Sequence, residues 1–149
     1  MITRVHLDRW FRAELEPRMK LARIARTTEP FVDLVECERA HATLAALPWP
    51  DPRSTLVLLH DLRQAPSRND PDFEAVVIRH APQIFSGFRR VAVLVKNLTG
   101  KLQVDRLAKS PDSRPDSRPE GGAPPSSRQG RATPQVFTDE SAAIGYLIA

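Results

Sequence analysis

A chain of 149 residues with a net charge of +4 and one cysteine is one domain's worth of sequence, long enough to bury roughly two thirds of its unfolded surface without disulfides or metals. A single cysteine excludes an intramolecular disulfide, no apolar run approaches a membrane span, and the N-terminus lacks the basic-then-apolar pattern of a secretory signal, so a cytoplasmic setting is expected. The positive charge points only weakly to nucleic acid: residues 1–26 carry +4, 27–108 balance to zero, 109–134 carry +2 and 135–149 carry −2, which leaves the bulk of the domain neutral.

In chain order, residues 1–8 fit two descriptions. Val5 and Leu7 alternate as in a strand, while Leu7, Trp10 and Phe11 also fall on one side of a helix. Phe11, Ala13 and Leu15 then alternate with Arg12 and Glu14, Glu16-Pro17-Arg18 makes a turn, and Leu21 to Ile24 begins a second strand, so residues 10–27 read as a hairpin. Arg23 and Arg26 are expected to face water or the sheet edge. Thr28-Glu29-Pro30 predicts a helix start, and Pro48, Pro50 and Pro52 end that helix near Leu47. Its inward stripe is Leu34, Cys37, His41 and Leu44. Cys37 and His41 share a face, but no second cysteine or neighbouring histidine completes a ligand set, so core packing is expected and neither metal nor cofactor.

The chain is organised around Ser54–Arg63. Leu56 to Leu59 is an unbroken apolar run, too short for a buried helix and suited to a central strand covered on both faces. Asp61 and Arg63 close it, Gln64–Asp70 is a turn, and Asp70-Pro71-Asp72 reads as N-cap, first helical residue and acidic first turn. The following helix carries one apolar stripe of Phe73, Val76, Val77, His80 and Ile84, with Pro82 expected to kink or interrupt it and Gly87 to stop it. Arg90 to Val95 is a second buried strand, and a strand, helix, strand unit implies a parallel pair with a right-handed crossover. Leu98 to Ala108 reads as a further helix. Residues 109–134, with the repeat Pro111-Asp112-Ser113-Arg114 and Pro115-Asp116-Ser117-Arg118 and no large apolar residue across the Gly/Pro/Ser run, have the composition of a disordered insert. Gln135-Val136-Phe137 is a last strand, Thr138 caps a last helix, and Ala143, Ile144, Leu147 and Ile148 are its apolar side.

The expected architecture is therefore a single α/β domain over 1–149, a small mixed sheet of about five strands with four helices, an N-terminal hairpin and an insert before the last strand. This order, with the phrases Leu58-Leu59-His60-Asp61-Leu62-Arg63, Gly87-Phe88-Arg89-Arg90-Val91-Ala92-Val93-Leu94 and Val136-Phe137-Thr138-Asp139-Glu140-Ser141-Ala142-Ala143, resembles the STAS and SpoIIAA-like superfamily of small bacterial regulatory domains. The last two phrases resemble an uncharacterised bacterial STAS-like group. The resemblance covers residues 10–108 and 135–149. In the anti-sigma-factor antagonists of that superfamily, an Asp-Ser pair begins the helix after the central strand and its serine is phosphorylated. Here that helix opens Asn69-Asp70-Pro71-Asp72, without a hydroxyl, and Ser67 lies only in the preceding loop, which puts a phospho-switch in doubt.

Catalysis is not expected. Histidines 6, 41, 60 and 80 are scattered, no glycine-rich phosphate loop follows either buried strand, and no metal-ligand spacing occurs. The expected function is a non-catalytic regulatory or protein-interaction module, binding an unidentified protein partner through Asp61, Arg63, Ser67, Arg68, Asn69 and Asp70 and the helix after them. Asp61 and Arg63 read equally well as a pair that caps neighbouring backbone or holds itself together. The alternative of another class is a small apolar or lipid ligand between helix and sheet. Nucleic acid is the weakest reading, because the insert lacks aromatic residues for stacking.

Overall fold

A computed structural model describes residues 1–66, 70–97 and 133–149. The expected helix over 98–108, residues 109–132 of the expected insert, and Ser67, Arg68 and Asn69 lie outside the described residues.

Six strands form one mixed sheet in the order of the sequence: β1 (Thr3–Leu7), β2 (Phe11–Glu16), β3 (Leu21–Arg26), β4 (Val57–Asp61), β5 (Val91–Leu94) and β6 (Gln135–Phe137). The first three make an antiparallel meander, and β3 to β6 are parallel. Residues 1–8 thus resolve as a strand, with a register shift between Arg4 and His6 that interrupts the edge. Three helices accompany the sheet among the described residues: α1 (Leu34–Ala45), α2 (Pro71–Phe85) and α3 (Glu140–Ile148). The expected α/β class holds, with one strand more than anticipated.

The alternation Phe11, Ala13, Leu15 on β2 and Ala22, Ile24 on β3 points one face of the sheet at α1 and α2. With Leu58, Val91, Cys37, Ala40, Leu44, Phe73, Val76 and Ile84 these residues form the larger core. The opposite face presents Leu21, Val57, Leu59, Ala92 and Leu94, and α3 covers it with Ala143 and Leu147. Successive residues of β4 therefore feed two cores, which is why its apolar run is unbroken.

Several expectations are corrected in detail. The helix α1 begins at Leu34, not at Thr28-Glu29-Pro30, because Asp33 is its N-cap: Asp33 Oδ1 accepts from the Glu36 amide at 2.9 Å, and Glu36 Oε1 accepts from the Val32 amide at 2.8 Å. Phe31, folded in ahead of the helix, sits against Trp10, Phe11, His41 and Phe73. It fills the interior position assigned to Leu34, which is 40% exposed. Thr138 is not the cap of α3; Asp139 is, accepting from the Ala142 amide at 2.9 Å, and Ile148 faces outward. Pro82 leaves α2 running to Phe85. Arg26, expected at the surface, is buried. Its guanidinium lies 4.4 Å from the Phe31 ring centroid and 5.4 Å from that of Phe11, and donates to the carbonyls of Trp10 and Thr27.

Arg53, to which no role was assigned from sequence, joins the C-terminal ends of two helices. Its Nη1 donates to the carbonyls of Gln83, Ile84 and Ser86, and its Nη2 donates to that of Ala45. A cation placed there answers the orphan carbonyls and negative dipole ends of α1 and α2 together. Gly87 completes the arrangement with φ of +89°, and a Cβ at that position would lie 3.3 Å from Arg53 Cβ.

Candidate functional site at the ends of the parallel strands

The parallel strands end on one edge of the sheet, where Asp61 terminates β4 and Asp70 opens α2. Asp70, predicted as the N-cap, accepts from the Asp72 amide at 3.0 Å, with Pro71 in the first helical position. Ser67, Arg68 and Asn69 lie outside the described residues, so the structure places three of the six sequence-derived candidates: Asp61, Arg63 and Asp70.

Asp61 and Arg63 come together with two residues not anticipated. Asp61 Oδ1 accepts from the Arg63 amide and from its Nε, both at 3.0 Å, and Asp61 Oδ2 accepts from Nη2 at 2.8 Å. The same Nη2 donates to Glu140 Oε1 at 2.7 Å, and Arg23 Nη2 donates to Glu140 Oε2 at 3.2 Å while Arg23 Nη1 stands 3.8 Å from Asp61 Oδ2. Two cations and two carboxylates thus alternate in a closed ring that ties β3, β4, the turn and the first residue of α3. Arg23, expected to face water or the edge, is spent on this ring. Its partners lie on β4 and α3, and such pairing has no local sequence signal.

The charge states follow from the geometry. Burial pushes the Asp61 carboxyl up, but the hydrogen bonds and charge of Arg63, aided by Arg23, outweigh that and hold it below the usual carboxylate range. Arg63 is raised by the hydrogen bond to Asp61, against a smaller effect of burial, with Glu140 adding to it. The ring is electrically closed. Replacing Arg63 by Ala is expected to lower stability by about 1 kcal/mol, discounted for solvent screening because the side chain is 40% exposed. The loss should shrink in high salt, as urea titrations at low and high ionic strength would show; an Arg63→Ala variant as stable as wild type in both would mean the ring contributes nothing.

Beside this edge, on the outer side of the helix layer, α1 and α2 leave an open groove of about 540 Å³ lined by Leu34, Val35, Glu38, Arg39, Ala42, Asp72, Ala75, Val76 and Arg79. Val35, one of its lining residues, is exposed. Across the middle, Glu38 accepts from His80 Nε2 at 2.7 Å and pairs with Arg79. The sequence points to the turn Arg63–Asp72 and the helix after it as the recognition surface, but carries no signal of this groove, because assigning Leu34 to the interior hides the apolar residues that α1 turns outward.

Underneath, three histidines lie where the helix layer meets the sheet, His41 on α1, His80 on α2 and His60 on β4. His41 Nδ1 donates to the Cys37 carbonyl at 2.8 Å and its ring lies 6.3 Å from that of His80. His60, on β4, packs between Phe11 and Phe85. Burial lowers the pKa of all three, to about 4 for His60. Cys37 is buried, as expected for a core residue. Among the described residues no group of three or more His, Cys, Asp or Glu side chains is arranged to hold a metal ion, and no helix is long and apolar enough to cross a membrane.

Comparisons with models of known families, with curated proteins and with solved structures return no match for this chain.

Proposed function

We propose that the chain is a non-catalytic regulatory or protein-interaction module of STAS-like type, making its contact through the outer side of α2, the turn before it and the groove shared with α1. The observation that carries this reading is the open, largely aliphatic groove beside the α2 N-terminus, with Val35 62% exposed at its rim. Contiguous exposed apolar surface rimmed by charge is characteristic of sites that meet another macromolecule. The STAS-like assignment rests on the phrases of β4, β5 and α3, and on a hairpin followed by alternating helices and strands. Within such a module Asp61 and Arg63 hold the base of the turn, and direct contact falls to residues further along. The space between sheet and helices is occupied by Phe11, Ile24, Leu44 and Leu58, all nearly inaccessible, which favours a surface contact over an enclosed apolar ligand.

Val35→Lys tests this proposal, because the position is solvent-facing and the substitution should change stability by less than about 0.5 kcal/mol. In a quantitative pull-down from the native host, the variant is expected to lose proteins that wild type retains. Unchanged capture by a folded variant would move the contact surface away from the groove.

A further inference from the structure

We propose that acid detaches one layer of the domain and leaves the other in place: α1 and α2 lift from the sheet as a pair when His41 and His60 take up protons, while β4, β5 and β6 stay joined to α3. The device is independent of the groove reading above, since the groove lies on the outer side of the two helices.

The first argument is the gathering of groups that can carry positive charge around one ring. The Phe11 ring of β2 has His41 of α1 at 5.6 Å and His60 of β4 at 6.3 Å between ring centroids, and the guanidinium of Arg26 on β3 lies 5.4 Å from its centroid. While the imidazoles are neutral, this is aromatic packing around a single cation. Protons on His41 and His60 bring two further charges into a space where every described acid is already engaged. From α1 the space is faced by the Cys37 thiol, with Sγ 3.7 Å from His41 Nδ1, from α2 by His80, and from β3 by Arg26. Asp61, next to His60 on β4, is taken by Arg63 and Arg23. Asp8 and Glu29, which act on Arg26, are engaged with His6 and Arg9. From β5 the strand partner of His60 is Val93, which does not ionise. His60 Nδ1 itself has no described hydrogen-bond partner to hold a proton in place.

The second argument is that this space lies on one side of the sheet only. The apolar cluster beneath α3 contains no histidine, and Asp61 in the ion ring beside it is held below the usual carboxylate range. Acid that charges the α1–α2 side therefore leaves the α3 side bound. The two helices stay together because their mutual contacts strengthen. Glu38 of α1 accepts from His80 and pairs with Arg79, both on α2, and a proton on His80 turns the first contact into an ion pair. Arg53 also joins their C-terminal ends. In the closed layer His41 and His60 are held neutral by burial. Once the layer lifts they reach water and bind protons near the ordinary histidine value, so lowering the pH draws the protein toward the open form. Opening uncovers Phe11, Ile24, Leu58 and Val91, an apolar face that the neutral protein conceals.

Hydrogen exchange read by mass spectrometry on the full chain, at about pH 7 and about pH 4.5 and corrected for intrinsic exchange rates, resolves the two layers. At the lower pH, peptides of α1 and α2 are expected to lose protection by about tenfold or more relative to those of β4, β5 and α3, and to regain it when the pH is restored. His60→Leu and His41→Leu each remove one proton site and keep an apolar side chain in its place, so each should retain more of the helix-layer protection at about pH 4.5. His6→Asn, on β1 beside Asp8, should open as wild type does. Loss of protection in α3 in step with α1 and α2 overturns the proposal, because acid then unfolds the domain as a whole. A helix layer equally protected at both pH values overturns it as well. So does a folded His41→Leu, His60→Leu double variant that opens at the same pH as wild type. If neither leucine variant folds, the wild-type exchange pattern alone decides between a layer that lifts and a domain that unfolds.

Discussion

Leu58→Ala is expected to destabilise the protein by about 3–4 kcal/mol, in the upper part of the range for truncating a buried leucine. Leu58 occupies the middle of β4 with 0% exposure. Its neighbours in the pairing register are Ala22 on β3 and Val91 on β5, so the strands on both sides have paired backbones that resist collapse into a void. Across the layer it faces the Cys37, Leu44 and Ile84 cluster, held in place by the Arg53 clasp at the helix ends. A site framed by hydrogen-bonded strands relaxes less than one framed by a loose helix, and the residual cavity adds to the lost transfer free energy. Ile148→Ala, at a position 57% exposed, should change stability by less than about 0.5 kcal/mol. Equilibrium urea unfolding with both variants measures the contrast; equal small losses would remove β4 from the centre of the sheet.

The second large effect is the dependence of stability on acid. His60 is buried on β4 with its Nδ1 free of any described hydrogen-bond partner, and burial, with the nearby charge of His41 and Arg26 outweighing that of Asp61, takes its pKa from 6.5 to about 4. In the unfolded chain the imidazole binds its proton near pH 6.5. Between pH 6.5 and 4 the unfolded state therefore holds more protons than the folded state, and stability falls as the pH is lowered. The contribution is complete above pH 6.5, is lost progressively below it, and amounts to about 3 kcal/mol when pH 4 is reached. His41 and His80 are shifted in the same direction and steepen the decline. Asp61, whose folded pKa is lowered, adds a further loss only at more acidic pH, as its carboxylate is protonated. Urea titrations from pH 7 to 4 on wild type and His60→Leu should show a shallower slope for the variant in this window. Parallel slopes would mean that His60 is not held neutral in the folded protein.

The fold was legible in sequence where the signal is local and strong. The unbroken run of β4, the alternation on β2 and the Asp70-Pro71-Asp72 opening of α2 each reflect a backbone preference or a burial pattern within a few residues. Errors arose where two local signals competed. Thr28-Glu29-Pro30 and Asp33-x-x-Glu36 both resemble helix starts, and the second prevails because Phe31 must leave the helical path to reach Trp10 and Phe73. Similarly, Thr138 lost to Asp139 at the start of α3, one residue later. Long-range pairing had no local signature at all. Arg23 and Arg26 read as surface or edge charges and are instead a ring member and a buried cation over two aromatic rings, and Arg53, which carried no signal, is a double helix clasp. The candidate site followed the same division: the Asp61–Arg63 pair could be read from adjacency, whereas Glu140, separated from Arg23 by 117 residues, could not.

The covering of the second sheet face by α3 has a consequence for the order of events during synthesis. Leu21, Val57, Leu59, Ala92 and Leu94 are all translated before the only described helix that shields them. While the chain emerges from the ribosome, α1 and α2 can close over their side, but among the described elements none covers the other side until Ala143 and Leu147 are free of the exit tunnel. That interval leaves a sticky parallel-strand surface open to chaperones and to neighbouring nascent chains. The Arg23–Glu140 and Arg63–Glu140 contacts are then a latch that closes only after α3 has followed the strands it covers.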